Sequence, residues 1–99
     1  MAHRVSSEAE AELDGIWYYI ATESGSMEVA DRFIDSLTKR FYLISTNPYI
    51  GRRRDDDLRL GMRSFAVGEY IILYRIDGED VLILHVVRGS RNIKALFGY

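Results

Sequence analysis

The sequence predicts an α+β fold: an antiparallel helical hairpin packed on a three- to four-stranded antiparallel sheet. Three observations lead there. Apolar residues recur with helical period through the first half and with strand character after Gly61. Serine–glycine and glycine-led turns separate these stretches. The single proline, Pro48, falls where the helical half ends. The helical stripes need a surface to cover, and the sheet supplies it.

At 99 residues and 47% hydrophobic, the chain is read as one globular domain over 1–99. It has no cysteine, which removes disulfides, thiol nucleophiles and thiolate metal sites. No apolar leader opens it, and no apolar run reaches the ~20 residues of a membrane span. A cytoplasmic setting with no membrane partner is expected. The net charge of −2 argues against a protein that coats nucleic acid. Residues 1–50 hold four basic and eight acidic side chains; residues 51–99 hold nine and seven. That asymmetry predicts either two surfaces with different partners or ordinary solubilising charge.

His3-Arg4-Val5 reads as a short strand or an extended lead-in. Ser7 with Glu10 fits a capping box at the start of a helix running to about Thr22. Leu13, Ile16, Trp17 and Ile20 form its apolar stripe. Ser24-Gly25-Ser26 breaks it, and Ser26 is placed to cap a second helix over about Met27 to Ser45. Ala30, Phe33, Ile34, Leu37, Phe41 and Ile44 keep helical period there. The residue before Pro48 is pushed out of the helical region and ends the helix. The short link makes the two helices an antiparallel hairpin.

Arg52-Arg53-Arg54 followed by Asp55-Asp56-Asp57 reads as a partly self-neutralising loop, or as a loop whose arginines reach phosphate or carboxylate. Met62 to Val67 is a strand, Gly68-Glu69 a two-residue turn, and Tyr70 to Ile76 a second strand. Tyr70, Ile72, Tyr74 and Ile76 face one way; Ile71, Leu73 and Arg75 face the other. Asp77-Gly78 begins the next turn. Val81 to Val87 is apolar on both faces apart from His85, as a central strand is. Asn92 to Phe97 is either one helical turn or an extended tail.

Candidate catalytic groups are few. There is no G-x-S-x-G, no phosphate-binding glycine loop, and no metal-ligand spacing between His3 and His85. No metal or cofactor is expected. The distinctive content is arginine on or beside the sheet: Arg63, Arg75, Arg88 and Arg91, with Lys94 beyond. Arg63 and Arg88 lie near the ends of strands that the sequence allows to be neighbours. Arginine forks suit carboxylate or phosphate. Bond cleavage also needs a general base and acid, and none stands obviously beside them. The plain alternative is half-buried packing and surface ion pairing.

The ordered motifs D-G-I-W-Y-Y-I-A at Asp14 to Ala21, A-D-R-F-I-D-S-L at Ala30 to Leu37, Asn47-Pro48 with Gly51-Arg52 and Asp57-Leu58, Gly61-Met62-Arg63-Ser64-Phe65, Val67-Gly68-x-Tyr70 with Tyr74-Arg75, and His85-Val86-Val87-Arg88-Gly89-x-Arg91-Asn92-Ile93 span almost the whole chain. Together they resemble the ParE-type toxins of the RelE/ParE superfamily. The resemblance implies the toxin half of a type II toxin–antitoxin module. It implies a cognate antitoxin as partner, DNA gyrase as target, and contact with operator DNA only through the antitoxin. Related RelE-type members are ribosome-dependent mRNA endonucleases. Laid on that pattern, Arg91 matches the last-strand arginine, but the catalytic tyrosine falls on Phe97 and a strand arginine on Ile71. Tyr99 is a shifted substitute at best. The expected reading is therefore a non-enzymatic toxin, with mRNA cleavage as the alternative. Arg63, Arg75, Arg88, Arg91, Lys94 and Phe97 are expected to meet the target. Trp17, Tyr18 and Ile20 are expected to meet the antitoxin, through a strand added to a sheet edge or a helix laid across the apolar groove.

Overall fold

Ser6 ties the beginning of the chain to its end. Its N–H donates to Ile83 O at 2.9 Å and its hydroxyl donates to Leu84 O at 2.8 Å, while the same hydroxyl accepts from Ala9 N at 3.0 Å. One serine thus closes a strand, caps a helix and binds a second strand. This computed structural model describes residues 2–97 of the chain, without the Phe97 side chain. The elements run β1 (His3–Val5), α1 (Ser7–Ser24), α2 (Met27–Thr46), β2 (Arg52–Arg53), β3 (Met62–Val67), β4 (Tyr70–Asp77), β5 (Asp80–Arg88) and a 3₁₀ turn, η1 (Ile93–Phe97). The N-cap of α1 is Ser6, not the expected Ser7, so the Ser7–Glu10 capping box does not form. The hydroxyl nearest the end of β1 is the one already fixed in place.

Gly25 leaves α1 with φ of 68°, a left-handed conformation that glycine adopts without strain. Ser26 then caps α2 by accepting from Val29 N, as expected. The sheet has five strands in the order β1-β5-β4-β3-β2, which corrects the three- to four-stranded antiparallel expectation. The three long strands are antiparallel and close through two-residue turns at Gly68 and Gly78, both at positive φ. The two additions are short. β1 pairs in parallel with Val81 to Ile83, and β2 pairs Arg52 and Arg53 with Ser64 and Arg63. Two charged residues carry no periodicity, so β2 left no signal in the sequence.

The sheet has two covered faces. Ala9, Ile16, Leu37, Phe41 and Ile44 from the helices meet Tyr70, Ile72, Tyr74, Val81, Ile83 and Val86 in the main core. On the opposite face Leu58, Met62, Leu73, Val87 and Ile93 form a smaller core, flanked by Leu96. Arg54 steadies this second layer. Its Nε lies 3.0 Å from Asp57 Oδ1, its Nη2 2.6 Å from Oδ2, and its Nη1 3.2 Å from Ser64 Oγ. That fork holds the Asp57 carboxyl below its ordinary range. Arg53 pairs with Asp55 at 2.7 Å in the same way. The arginine–aspartate run is therefore largely self-neutralised at these two pairs.

Candidate functional site

β1 stops at Val5, opposite Ile83, while β5 continues to Arg88. The uncovered half of that edge faces α1. A bulge between Leu73 and Tyr74 on β4 pairs Leu73 with His85 and Tyr74 with Ile83, leaving Leu84 as an extra residue in β5. The edge N–H that follows, Val86 N, finds no strand and donates instead to Glu12 Oε1 at 3.0 Å. His85 Nδ1 lies 3.1 Å from Glu12 Oε2. One carboxylate from α1 thus replaces a missing strand and holds the bulge.

Beyond Glu12 the two walls diverge into a groove of about 390 Å³. Glu12, Gly15, Ile16 and Tyr19 line it from one face of α1, and Val86 to Arg88 from β5. Arg88 lies over the Tyr19 ring at 5.1 Å and the Tyr70 ring at 5.7 Å. Its one acidic neighbour, Glu69, is 3.8 Å away and largely in solvent. Arg91 lines the same groove, and its side chain has no partner among the described residues. The site presents two arginines, an apolar floor and a carboxylate that is already occupied. Among the described residues no three His, Cys, Asp or Glu side chains are grouped to hold a metal.

A family model described as the ParE toxin of the type II toxin–antitoxin system parDE matches residues 4–93. The chain belongs to the ParE toxin family. Toxin ParE3 of Caulobacter vibrioides is 38% identical over 76 residues, 77% of this chain and 75% of that one. Toxin ParE1 of the same organism is 34% identical over 96 residues, 97% of each chain. The fold matches a solved chain described as the chromosomal ParDE TA system from P. aeruginosa. That match has a TM-score of 0.77 and 20% identity, and covers 89% of this chain and 95% of the other. The protein is the toxin component of a type II toxin–antitoxin system, and an antitoxin is its partner. No helix among the described residues is long and apolar enough to cross a membrane.

On this ParE chain the sequence-predicted residues separate into several places. Arg88 and Arg91 share the groove. Arg63 is not beside Arg88: β4 lies between their strands, and Arg63 pairs with Tyr74 while Arg88 pairs with Tyr70. Those partners are roughly 13 Å apart along β4 at strand rise. Arg63 Nη1 donates to Gly51 O at 2.8 Å and Tyr49 O at 3.3 Å, and its guanidinium covers the Tyr49 ring. It builds the 48–51 loop. Arg75 pairs with Met62 and so points to the face away from the helices, exposed. Lys94 is exposed on η1. The Phe97 side chain and Tyr99 lie outside the described residues.

Of the residues expected to meet the antitoxin, Tyr18 is 70% exposed. Trp17 donates its indole N–H to Asp31 Oδ1 at 2.7 Å, clamping α1 to α2. Ile20 packs against the main core. Sequence reasoning missed Glu12, Gly15 and Tyr19 as groove residues. The signal present was Gly15 itself, a glycine inside a strong helical pattern.

Proposed function

We propose that this toxin arrests growth by binding DNA gyrase, without bond-making chemistry of its own, and that its antitoxin neutralises it by covering the same surface. We place it in the cytoplasm as a single domain over 1–99, reaching operator DNA only through the antitoxin. Family membership supports the reading, and the carrying observation is the Arg88–Arg91 surface. Its cations are displayed with apolar and aromatic neighbours; Glu69 approaches Arg88 only at 3.8 Å and in solvent, and the Glu12 carboxylate is held by Val86 N and His85. Such a surface grips protein or nucleoprotein. Arg88 and Arg91 are its proposed contact residues; Lys94 on η1, Arg75 on the opposite face of the sheet and Phe97 are kept as further proposed target contacts, and Arg63, on β3, supports by holding the 48–51 loop. Trp17, Tyr18 and Ile20 remain on the proposed antitoxin side, with Tyr18 as the solvent-facing anchor.

Purified protein, free of antitoxin, is expected to inhibit gyrase supercoiling in proportion to its concentration, and Arg88→Ala with Arg91→Ala to relieve inhibition by about tenfold or more. Normal supercoiling at high excess of folded protein sinks the proposal. Cleavage of mRNA in translating ribosomes with normal supercoiling assigns the protein to the RelE-type alternative.

A further inference from the structure

At the β2–β3 end of the sheet the 48–51 loop and the 54–61 loop leave a slot of about 300 Å³. Two large apolar side chains line it from solvent: Tyr49 is 72% exposed and Leu60 is 90% exposed. A lone exposed leucine needs no explanation. A leucine and a tyrosine lining one slot together with arginines form a surface that a flat, partly apolar ligand fits.

The arginines are held in place and their donors are only partly used. Arg53 and Arg63 pair across the β2–β3 ladder, and both line the slot. Arg63 Nη1 donates to Gly51 O and Tyr49 O, which lays the guanidinium over the Tyr49 ring at 5.2 Å. Its Nε and Nη2 have no partner among the described residues. Arg53 gives Nε to Asp55, and its side chain stands largely in solvent, so its two Nη groups stay available. The Asp55 carboxylate in the lining is engaged on both oxygens: Oδ1 accepts from Gly61 N at 2.7 Å and Oδ2 from Arg53. Arg52, next along the exposed edge strand β2, forms no ion pair among the described residues. The slot and its mouth thus hold three guanidinium groups against one carboxylate.

We propose that this slot binds one nucleotide of a single-stranded nucleic acid, with the base between Leu60 and the Tyr49–Arg63 stack and the flanking phosphates on Arg53 and Arg52 along the β2 edge. An aromatic ring with an arginine plane on it suits a base, and forked cations in excess suit phosphate. A carboxylate alone would use the forks and leave the flat wall idle. Stacking accepts every base, so binding tolerates changes of sequence. A duplex is excluded, because its bases are already stacked and paired; the slot gives the toxin no route of its own to operator DNA. Arg53 and Arg63 lie across β4 from the Arg88–Arg91 groove, so the assignment goes beyond the gyrase reading and does not rest on it.

The test is fluorescence anisotropy of a short labelled oligothymidylate with the full chain, free of antitoxin, at low salt. Saturable binding is expected. Two phosphate contacts on a single strand predict that log K falls against log salt with a slope of about −1.4. Tyr49→Leu is expected to weaken binding by about tenfold, and Tyr49→Phe to keep it. The Tyr49 ring is exposed, so both variants are expected to melt with the parent, and lost binding cannot be lost folding. Arg52→Gln with Arg53→Gln is expected to remove most of the salt slope. A duplex of matching length is expected to bind at least tenfold more weakly. The assignment is overturned by no binding at low salt, by Tyr49→Leu binding as tightly as the parent, or by a duplex binding as tightly as the single strand. Poly-glutamate displacing the oligonucleotide at equal charge concentration also overturns it, and marks the arginines as a site for acidic protein.

Discussion

Tyr74 shows how one side chain fixes a loop from inside the core. It is fully buried, its hydroxyl donates to Pro48 O at 2.9 Å and accepts from Gly51 N at 2.8 Å, and burial raises its ionisation above the ordinary phenol range. The backbone must approach this hydroxyl closely. A Cβ at Gly51 would lie 2.5 Å from Tyr74 Oη and 2.9 Å from Ser64 O. Tyr74→Phe leaves a buried donor and acceptor unpaired and is expected to cost about 1–3 kcal/mol. Gly51→Ala pushes against both a hydroxyl and a backbone carbonyl, and is expected to cost ~1–3 kcal/mol or more. Urea denaturation measures both; a loss near zero for either shows that the loop relaxes away from the core. The sequence placed Tyr74 on the same side of its strand as Tyr70 and Ile72, and Gly51 in a motif, but it did not say which side meets the core and nothing in it paired the two across 23 positions.

At the scale of elements, α1 and β5 are joined by Glu12 as well as by apolar packing, in which Ala9 and Ile16 share the main core with Ile83 and Val86. Glu12→Ala removes the acceptor of Val86 N beside the bulge and is expected to destabilise by about 1–3 kcal/mol. Glu12→Gln keeps an acceptor of similar length and is expected to recover part of that. Equal losses in thermal melts would mean that the carboxylate charge, not the hydrogen bond, holds the bulge. Such long-range substitutions explain what was legible. Helical period revealed α1 and α2, alternation with Gly68 and Gly78 revealed β3 to β5, and the apolar run of Val81 to Val87 revealed a central strand. The parallel pairing of β1 was not legible, because His3 to Val5 is too short to show period. The site was half legible: Arg88 and Arg91 announced themselves by charge. Glu12 and Tyr19 looked like ordinary helix-surface residues until the fold set them opposite β5.

For the molecule as a whole, the sheet separates two cores of unequal size, and the tail completes the smaller one. Ile93 is 8% exposed and packs with Leu73 and Val87, while Lys94 beside it is solvent-facing. Ile93→Ala is expected to cost about 2–5 kcal/mol. Lys94→Ala is expected to stay within about 0.5 kcal/mol of the parent. Unfolding measured beside gyrase inhibition separates the two roles of the tail. Inhibition lost in Lys94→Ala at unchanged stability marks target contact; inhibition lost only in Ile93→Ala marks support of the second core. The two walls of the groove come from opposite ends of the chain, residues 12–19 and 86–91. At a synthesis rate of ~5–20 residues per second, the ribosome needs on the order of ten seconds to make both. Until then α1 has no β5 to face and the arginines have no frame. The nascent chain therefore carries no complete groove until β5 and the residues after it have been made.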